Sequence, residues 1–139
     1  SGFVPRLRAH LADAPELASR LWVEVAESAA VEHPDLVHAL CDQLRPLGVK
    51  VGLEHAGDRL PQIRALFSLG LDYVKLDSAV VQGVAQDTSR AAFVTATVSL
   101  LRGLGLQVFA EGVNDAGDLP TLWQCGIHGV TGPAVKLGA

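Results

Sequence analysis

The sequence predicts an α/β protein in which about five parallel strands alternate with helices, forming part of a (β/α)8 TIM-like barrel. Three observations carry that prediction. Short apolar runs of strand length alternate with longer helix-patterned segments along all 139 residues, and strand–helix–strand units build parallel sheets. Aromatic residues are 5% of a chain that is 49% hydrophobic, so Ala, Val, Leu and Gly must fill the core, as in layered α/β proteins. Four successive predicted strands end in an acid: Glu27, Glu54, Asp77 and Glu111. In a parallel sheet those ends share one side, where sites are built. A flavodoxin-like open sheet also uses five strands, whereas a closed barrel uses eight strands and about 250 residues. The helix-first order and the set of strand ends favour part of a barrel.

The elements follow in order. A helix covers 3–20 with a break at Pro15, and LWVEVAE (21–27) is a strand. HPDLVHALCDQLRPLG (33–48) is a helix, with Pro34 in its first turn and Gly48 just past its end, the usual asymmetry of helix termini. VKVGLE (49–54) is a strand, LPQIRALFSLG (60–70) a helix and YVKLD (73–77) a strand. The stretch 78–104 is helical and interrupted near QDTS (86–89), where Asp87 to Ser89 offer N-caps. LQVFAEG (106–112) is a strand, DAGDLPTLWQCG (115–126) a helix and IHGVTG (127–132) a last short strand. Trp22 and Trp123 are expected in the core.

The length fits one domain. A net charge of -4 with no basic run excludes a DNA or RNA groove, which needs clustered Lys and Arg; a small nucleotide ligand stays open. Cys41 and Cys125 form no CxxC pair and read as free buried thiols of a reducing compartment. No apolar run reaches the roughly 18 residues of a membrane span. The chain has no methionine, so a fragment of something longer is expected.

Lys75 and Asp77 lie two apart on a strand and therefore face the same side. A buried charge is costly unless paired or used. Glu24, flanked by Val23 and Val25, points to the same interior as Lys75, Glu54 and Asp77. One reading is a Glu24–Lys75 ion pair. The other is a set of carboxylates holding a hard divalent cation, Mg²⁺ or Mn²⁺, through oxygen, with a lysine and a further carboxylate activating water. That chemistry suits phosphate-ester hydrolysis or an enolase-type proton abstraction. His55 reads as a solvated loop residue rather than a ligand. His10, His33, His38 and His128 show no ligand spacing.

VEVAES (23–28), GVKVGLEHAG (48–57), DYVKLD (72–77) and GLQVFAEGV (105–113) resemble consecutive motifs of EAL domains, the cyclic-di-GMP (c-di-GMP) phosphodiesterases and their non-catalytic relatives. The resemblance covers the chain in the right order. It implies the C-terminal portion of an EAL barrel over 1–139, with the N-terminal strands absent. It implies metal ligation at Glu24, Glu54 and Asp77, catalytic positions at Lys75 and Glu111, and loop stabilisation by Glu27. Nucleotide contacts fall at Glu111, Asn114, Thr131 and Pro133.

The departures bear on activity. The family's Asp-Asp pair is Glu54-His55 here, its Phe is Ala56, and its following loop is GDRLPQ (57–62). Asn114, Thr131 and Pro133 stand where the family has glutamate, glutamine and an aromatic. These changes resemble degenerate EAL domains, in particular the membrane-anchored c-di-GMP receptors of the LapD type. The resemblance implies a cytoplasmic domain that binds c-di-GMP without turnover, with a parent anchored at the inner membrane. The alternatives are an active metal-dependent phosphodiesterase in the full-length protein and a scaffold that binds no nucleotide. Mg²⁺ or Mn²⁺ belongs to the intact domain, with no metal required for binding. An incomplete barrel exposes strand edges, which pair with other chains, so homo-oligomers are expected.

Overall fold

β1 (Trp22–Ala26), β2 (Lys50–Ala56), β3 (Tyr73–Leu76), β4 (Gln107–Ala110) and β5 (Gly129–Val130) form one parallel sheet whose spatial order equals the chain order. This is a computed structural model, and it describes residues 2–63 and 66–133. Sequential parallel order is what repeated right-handed crossovers produce, and it agrees with the expected segment of a barrel. Among the described residues the sheet is open, with β1 and β5 each paired on one side only.

Helices cover one face. α1 (Phe3–Asp13) and α2 (Pro15–Ala18) precede β1, and α3 (Glu27–Glu32) and α4 (Pro34–Leu44) connect β1 to β2. α5 (Ser78–Val81) and α6 (Thr88–Gly103) connect β3 to β4, and α7 (Leu119–Gln124) connects β4 to β5. Sequence chemistry sets the boundaries. Pro34 opens α4, and Gly48 takes φ +93 after its terminal 3-10 turn. The Asp77 carboxylate caps α5 by accepting from Ala79 N at 2.9 Å, and Asp87 caps α6 by accepting from Arg90 N at 3.0 Å. On the helix-facing side of the sheet, Val51, Leu53, Val74, Leu76, Val108 and Ala110 are fully buried. Such near-continuous apolar runs are typical of strands covered by helices.

The opposite face carries the other side-chain set. Gly52 is the register partner of Glu24 on one side and of Tyr73 on the other. Having no side chain, it lets the Tyr73 ring lie across β2, and the Tyr73 hydroxyl donates to Glu24 Oε2 at 3.1 Å. Tyr73 is packed by Trp22, with centroids 4.8 Å apart, and by Phe109 at 5.8 Å.

Several expected details differ. Of the helix expected over 60–70, the described parts are 3-10 turns at Leu60–Gln62 and Leu66–Ser68, and residues 64 and 65 lie outside the described residues. Buried Leu60 and Ile63 stand three apart, the spacing that a 3-10 turn aligns. The helix expected over 115–126 is a 3-10 turn at Ala116–Asp118 followed by the six-residue α7. Trp22 and Trp123 are 45% and 48% exposed, not core. Trp22 sits on the helix-free face at an edge strand, and its ring contacts Tyr73 and Phe109 instead. Cys41 and Cys125 are free and buried; burial pushes the Cys41 thiol up to about 11, which leaves it unreactive.

A Cβ at position 52 would meet Tyr73 ring atoms at 2.3–2.4 Å, and the ring is hemmed in by its aromatic neighbours. Gly52→Ala is therefore expected to cost about 1–3 kcal/mol as overpacking. A lower urea midpoint than wild type is the expected result, and the Gly52→Ala/Tyr73→Ala double variant should lose less than the sum of the two single variants, because the clash needs the ring.

Candidate functional site at the carboxyl ends of the strands

The site begins with an irregularity in β2. Leu53 pairs with Val74, but Ala56 pairs with Leu76, so three steps on β2 match two on β3. The extra residue is a bulge, and His55 takes φ +52 within it. Positive φ is uncommon outside glycine, with histidine among the residues that tolerate it best. Bulges re-aim side chains. Strict alternation would send Glu54 and His55 to opposite faces; the bulge lets both act on one acidic rim.

His55 is the hub of that rim. Its Nδ1 lies 2.9 Å from Asp77 Oδ1 and 3.5 Å from Glu111 Oε1, and its backbone N–H donates to the same Glu111 oxygen at 2.6 Å. Asp77 uses its other oxygen to cap α5. The hydrogen bond to Asp77, and then the charge of Glu111, raise the His55 imidazole above its ordinary 6.5, although the side chain is 64% exposed. The Ala79 N–H and His55 together hold the Asp77 carboxyl below its ordinary value.

A second cluster joins β1 to β3. Lys75 Nζ contacts Glu24 Oε2, the oxygen that also accepts from Tyr73. Partial burial pushes the Glu24 carboxyl up, but the hydrogen bonds from Lys75 and Tyr73 outweigh it and leave Glu24 below its ordinary value. Burial, followed by the Glu24 charge, drives the Tyr73 hydroxyl far above its usual range. Glu54 also helps to hold Glu24 below its ordinary value.

The residues singled out from sequence are thus divided. Glu24 and Lys75 form the ion pair weighed as one reading. Glu54 joins Glu24, while Asp77 joins His55 and Glu111. Glu27, 8% exposed at the start of α3, accepts from Gly57 N at 2.8 Å and ties down the turn after β2. Asn114, Thr131 and Pro133 are exposed. Thr131 lies beside the segment that follows Glu111, its backbone bonded to Ala110 and Val113.

The expectation that His55 is a solvated loop residue is corrected: it lies on β2 and joins two acids. Two further polar residues escaped sequence reasoning. Asp72 accepts from Val51 N at 2.8 Å and pairs with Arg45 at 3.2 Å. Asp118, 2% exposed, accepts from Gly83 N and Ala85 N at 3.1 and 2.9 Å. Both tie backbone together. No spacing rule marks them; the only signal is an acid flanked by apolar residues.

Mg²⁺ or Mn²⁺ would take oxygen ligands. The rim does not offer a matching set. The carboxylates expected as ligands are split between two clusters, Glu24 is engaged by Lys75 and Tyr73, and the closest three-ligand group contains an imidazole. Among the described residues, His55, Asp77 and Glu111 are the one group of three whose ligand atoms lie within 4.8 Å of one another.

A run of parallel βα units with an acid-lined carboxyl rim is the hallmark of a barrel enzyme or a relative of one. The chain matches the EAL domain over residues 1–136 and belongs to that family. It is 31% identical over 114 residues to the bifunctional diguanylate cyclase/cyclic di-GMP phosphodiesterase MucR of Pseudomonas aeruginosa, an alignment covering 82% of this chain and 17% of MucR. The chain spans only 16–17% of the length of the curated relatives it first matches. The solved PaMucR phosphodiesterase in complex with c-di-GMP superposes with a TM-score of 0.82 at 30% identity, over 100% of this chain and 56% of that one. Vibrio cholerae LapD (S helix-GGDEF-EAL, apo) shares the fold, with a TM-score of 0.80 at 21% identity, over 96% of this chain and 32% of that one.

The raised His55 value fixes a sign. The charged part of its contact with Asp77 and Glu111 is present below pH 6.5 and fades as the pH rises through the folded-state midpoint, which lies above 6.5. In an NMR titration the His55 ring protons should therefore shift with a midpoint above 6.5, and Asp77→Asn should move that midpoint down. A midpoint at or below 6.5 in the unmodified chain would contradict the clasp.

Proposed function

We propose that this chain is part of an EAL domain that binds c-di-GMP as a non-catalytic receptor in the cytoplasm. The family and the 30% identical PaMucR complex support the ligand. One observation supports the loss of turnover: the carboxylates expected to hold Mg²⁺ or Mn²⁺ are split between two clusters, and the closest three-ligand group contains an imidazole. Glu111 Oε1 is held by the His55 backbone and faces its ring, and the two Asp77 oxygens are taken by His55 and by the cap of α5. Lys75 is likewise committed to Glu24.

In this reading Glu24, Lys75 and Tyr73 keep a rigid polar floor, Glu27 keeps the turn after β2 in place, and the exposed positions Asn114, Thr131 and Pro133 border the nucleotide. Binding needs none of the water-activating steps. The family's phosphodiesterase activity is the competing reading, favoured by the persistence of Lys75, Asp77 and Glu111.

Calorimetric titration of c-di-GMP into the intact domain, once in EDTA and once in Mg²⁺, separates the readings when the recovered nucleotide is assayed for linear product. Binding in both buffers with unaltered nucleotide is expected. Linear product that requires Mg²⁺ and disappears in Glu111→Gln would establish the phosphodiesterase. Absence of binding in both buffers would refute a nucleotide site altogether.

A further inference from the structure

We infer that the His55–Asp77–Glu111 rim is a site for a single borderline transition cation of the Zn²⁺ class, in place of the hard Mg²⁺ or Mn²⁺ ions that the family's oxygen ligands imply. Geometry and ligand chemistry both point there. Four ligands about 2.0–2.1 Å from a tetrahedral ion lie roughly 3.3 Å from one another. His55 Nδ1 is 2.9 Å from Asp77 Oδ1 and 3.5 Å from Glu111 Oε1, which brackets that edge. The three side chains come from three separate places, the β2 bulge and the residues following β3 and β4, so their convergence is not a local helix or turn pattern. They stand at the open end of the sheet, where His55 is largely exposed and Asp77 and Glu111 are partly so. An ion could enter and keep water or a ligand oxygen as its fourth partner.

The ligand set decides which ion. Imidazole nitrogen suits Zn²⁺, Ni²⁺ and Cu²⁺, whereas Mg²⁺ demands oxygen and near-ideal octahedral geometry. An aspartate at position 55 would add a third oxygen; histidine supplies nitrogen from the same place. Glu54 contributes a further negative charge close to the ring, which favours a cation at the rim without being needed as a ligand. Glu24 and Lys75 satisfy each other and leave this trio independent of them.

The inference does not depend on nucleotide binding, and its test uses metal alone. Zn²⁺ and, separately, Mg²⁺ are titrated by calorimetry into the full-length protein and into its His55→Asn and Glu111→Gln variants, with thermal melts confirming that each variant is folded. Asparagine is chosen because it also tolerates positive φ. Zn²⁺ should bind this site at least about tenfold more tightly than Mg²⁺, and each variant should weaken Zn²⁺ by about tenfold or more. Co²⁺ should give a visible absorption band of four-coordinate intensity that is lost in His55→Asn. If that variant does not fold, Glu111→Gln alone carries the comparison. Zn²⁺ affinity unchanged in the folded variants, equal affinity for Mg²⁺, or no Zn²⁺ binding at all would overturn the inference.

Discussion

Parallel register is the constraint from which the rest follows. Because β1 to β4 run the same way in neighbouring order, each strand ends at the same side of the sheet, and the residue at or just past each end joins a common rim. His55, Asp77 and Glu111 are distant in sequence and meet only because each lies at or just past the end of such a strand. The same register sets the interior. Trp22, Gly52, Tyr73 and Phe109 share one face, and the empty Cα of Gly52 gives the Tyr73 ring its path to Glu24. Lys75 reaches the same oxygen from two residues further along β3. The polar floor and the aromatic packing beneath it are two consequences of one strand alignment.

Onto this regular frame the β2 bulge imposes a single irregularity. It costs backbone strain, on the order of 1–3 kcal/mol for a non-glycine residue in the left-handed region. The contacts of His55 offset it: a backbone hydrogen bond to Glu111 and a ring contact with Asp77. Glu27 supports the arrangement by fixing Gly57 immediately downstream. A chain with regular alternation at this point would point position 55 toward the helices and leave Asp77 and Glu111 facing each other without a nitrogen between them. The bulge therefore converts a row of acids into a mixed set, and the choice between oxygen-only and nitrogen-containing chemistry rests on it.

Much of the frame was legible in sequence because its signals are local. Apolar runs punctuated by Gly and Pro marked all five strands, and the acids at their ends marked the rim. Alternation placed Glu24 beside Lys75. His55 was misread because period-two reasoning has no term for an inserted residue, and a histidine between an acid and an alanine looks solvated. Asp72 and Asp118 were invisible for a related reason: their partners are backbone N–H groups 21 and 33–35 residues away, and backbone donors carry no sequence signature. Hydrophobicity alone places Trp22 in the core, yet among the described residues its face of the sheet carries no helix. Over 60–63 a 3-10 turn stands where the apolar pattern suggests a helix, because Leu60 and Ile63 satisfy the core at three-residue spacing, which needs no full α-turn.

The two clusters at the rim obey different physics, and this separates binding from turnover. The Glu24–Lys75–Tyr73 group is partly buried, so its charges gain from pairing and lose heavily if one partner is removed. That favours persistence of the group as architecture, whatever becomes of the chemistry above it. In the His55–Asp77–Glu111 group the His55 ring is largely exposed, whereas Asp77 and Glu111 are partly buried like Glu24 and Lys75, so the ring contacts are the ones worth little on their own and the ones a ligand or ion can replace at small cost. An exchangeable imidazole between two held acids suits a surface that holds a charged ligand. Turnover asks for the reverse, acids kept free and ions kept fixed. The proposed receptor role rests on that split, because the carboxylates that would hold metal ions are divided between two clusters and one of them, Glu24, is already neutralised by Lys75.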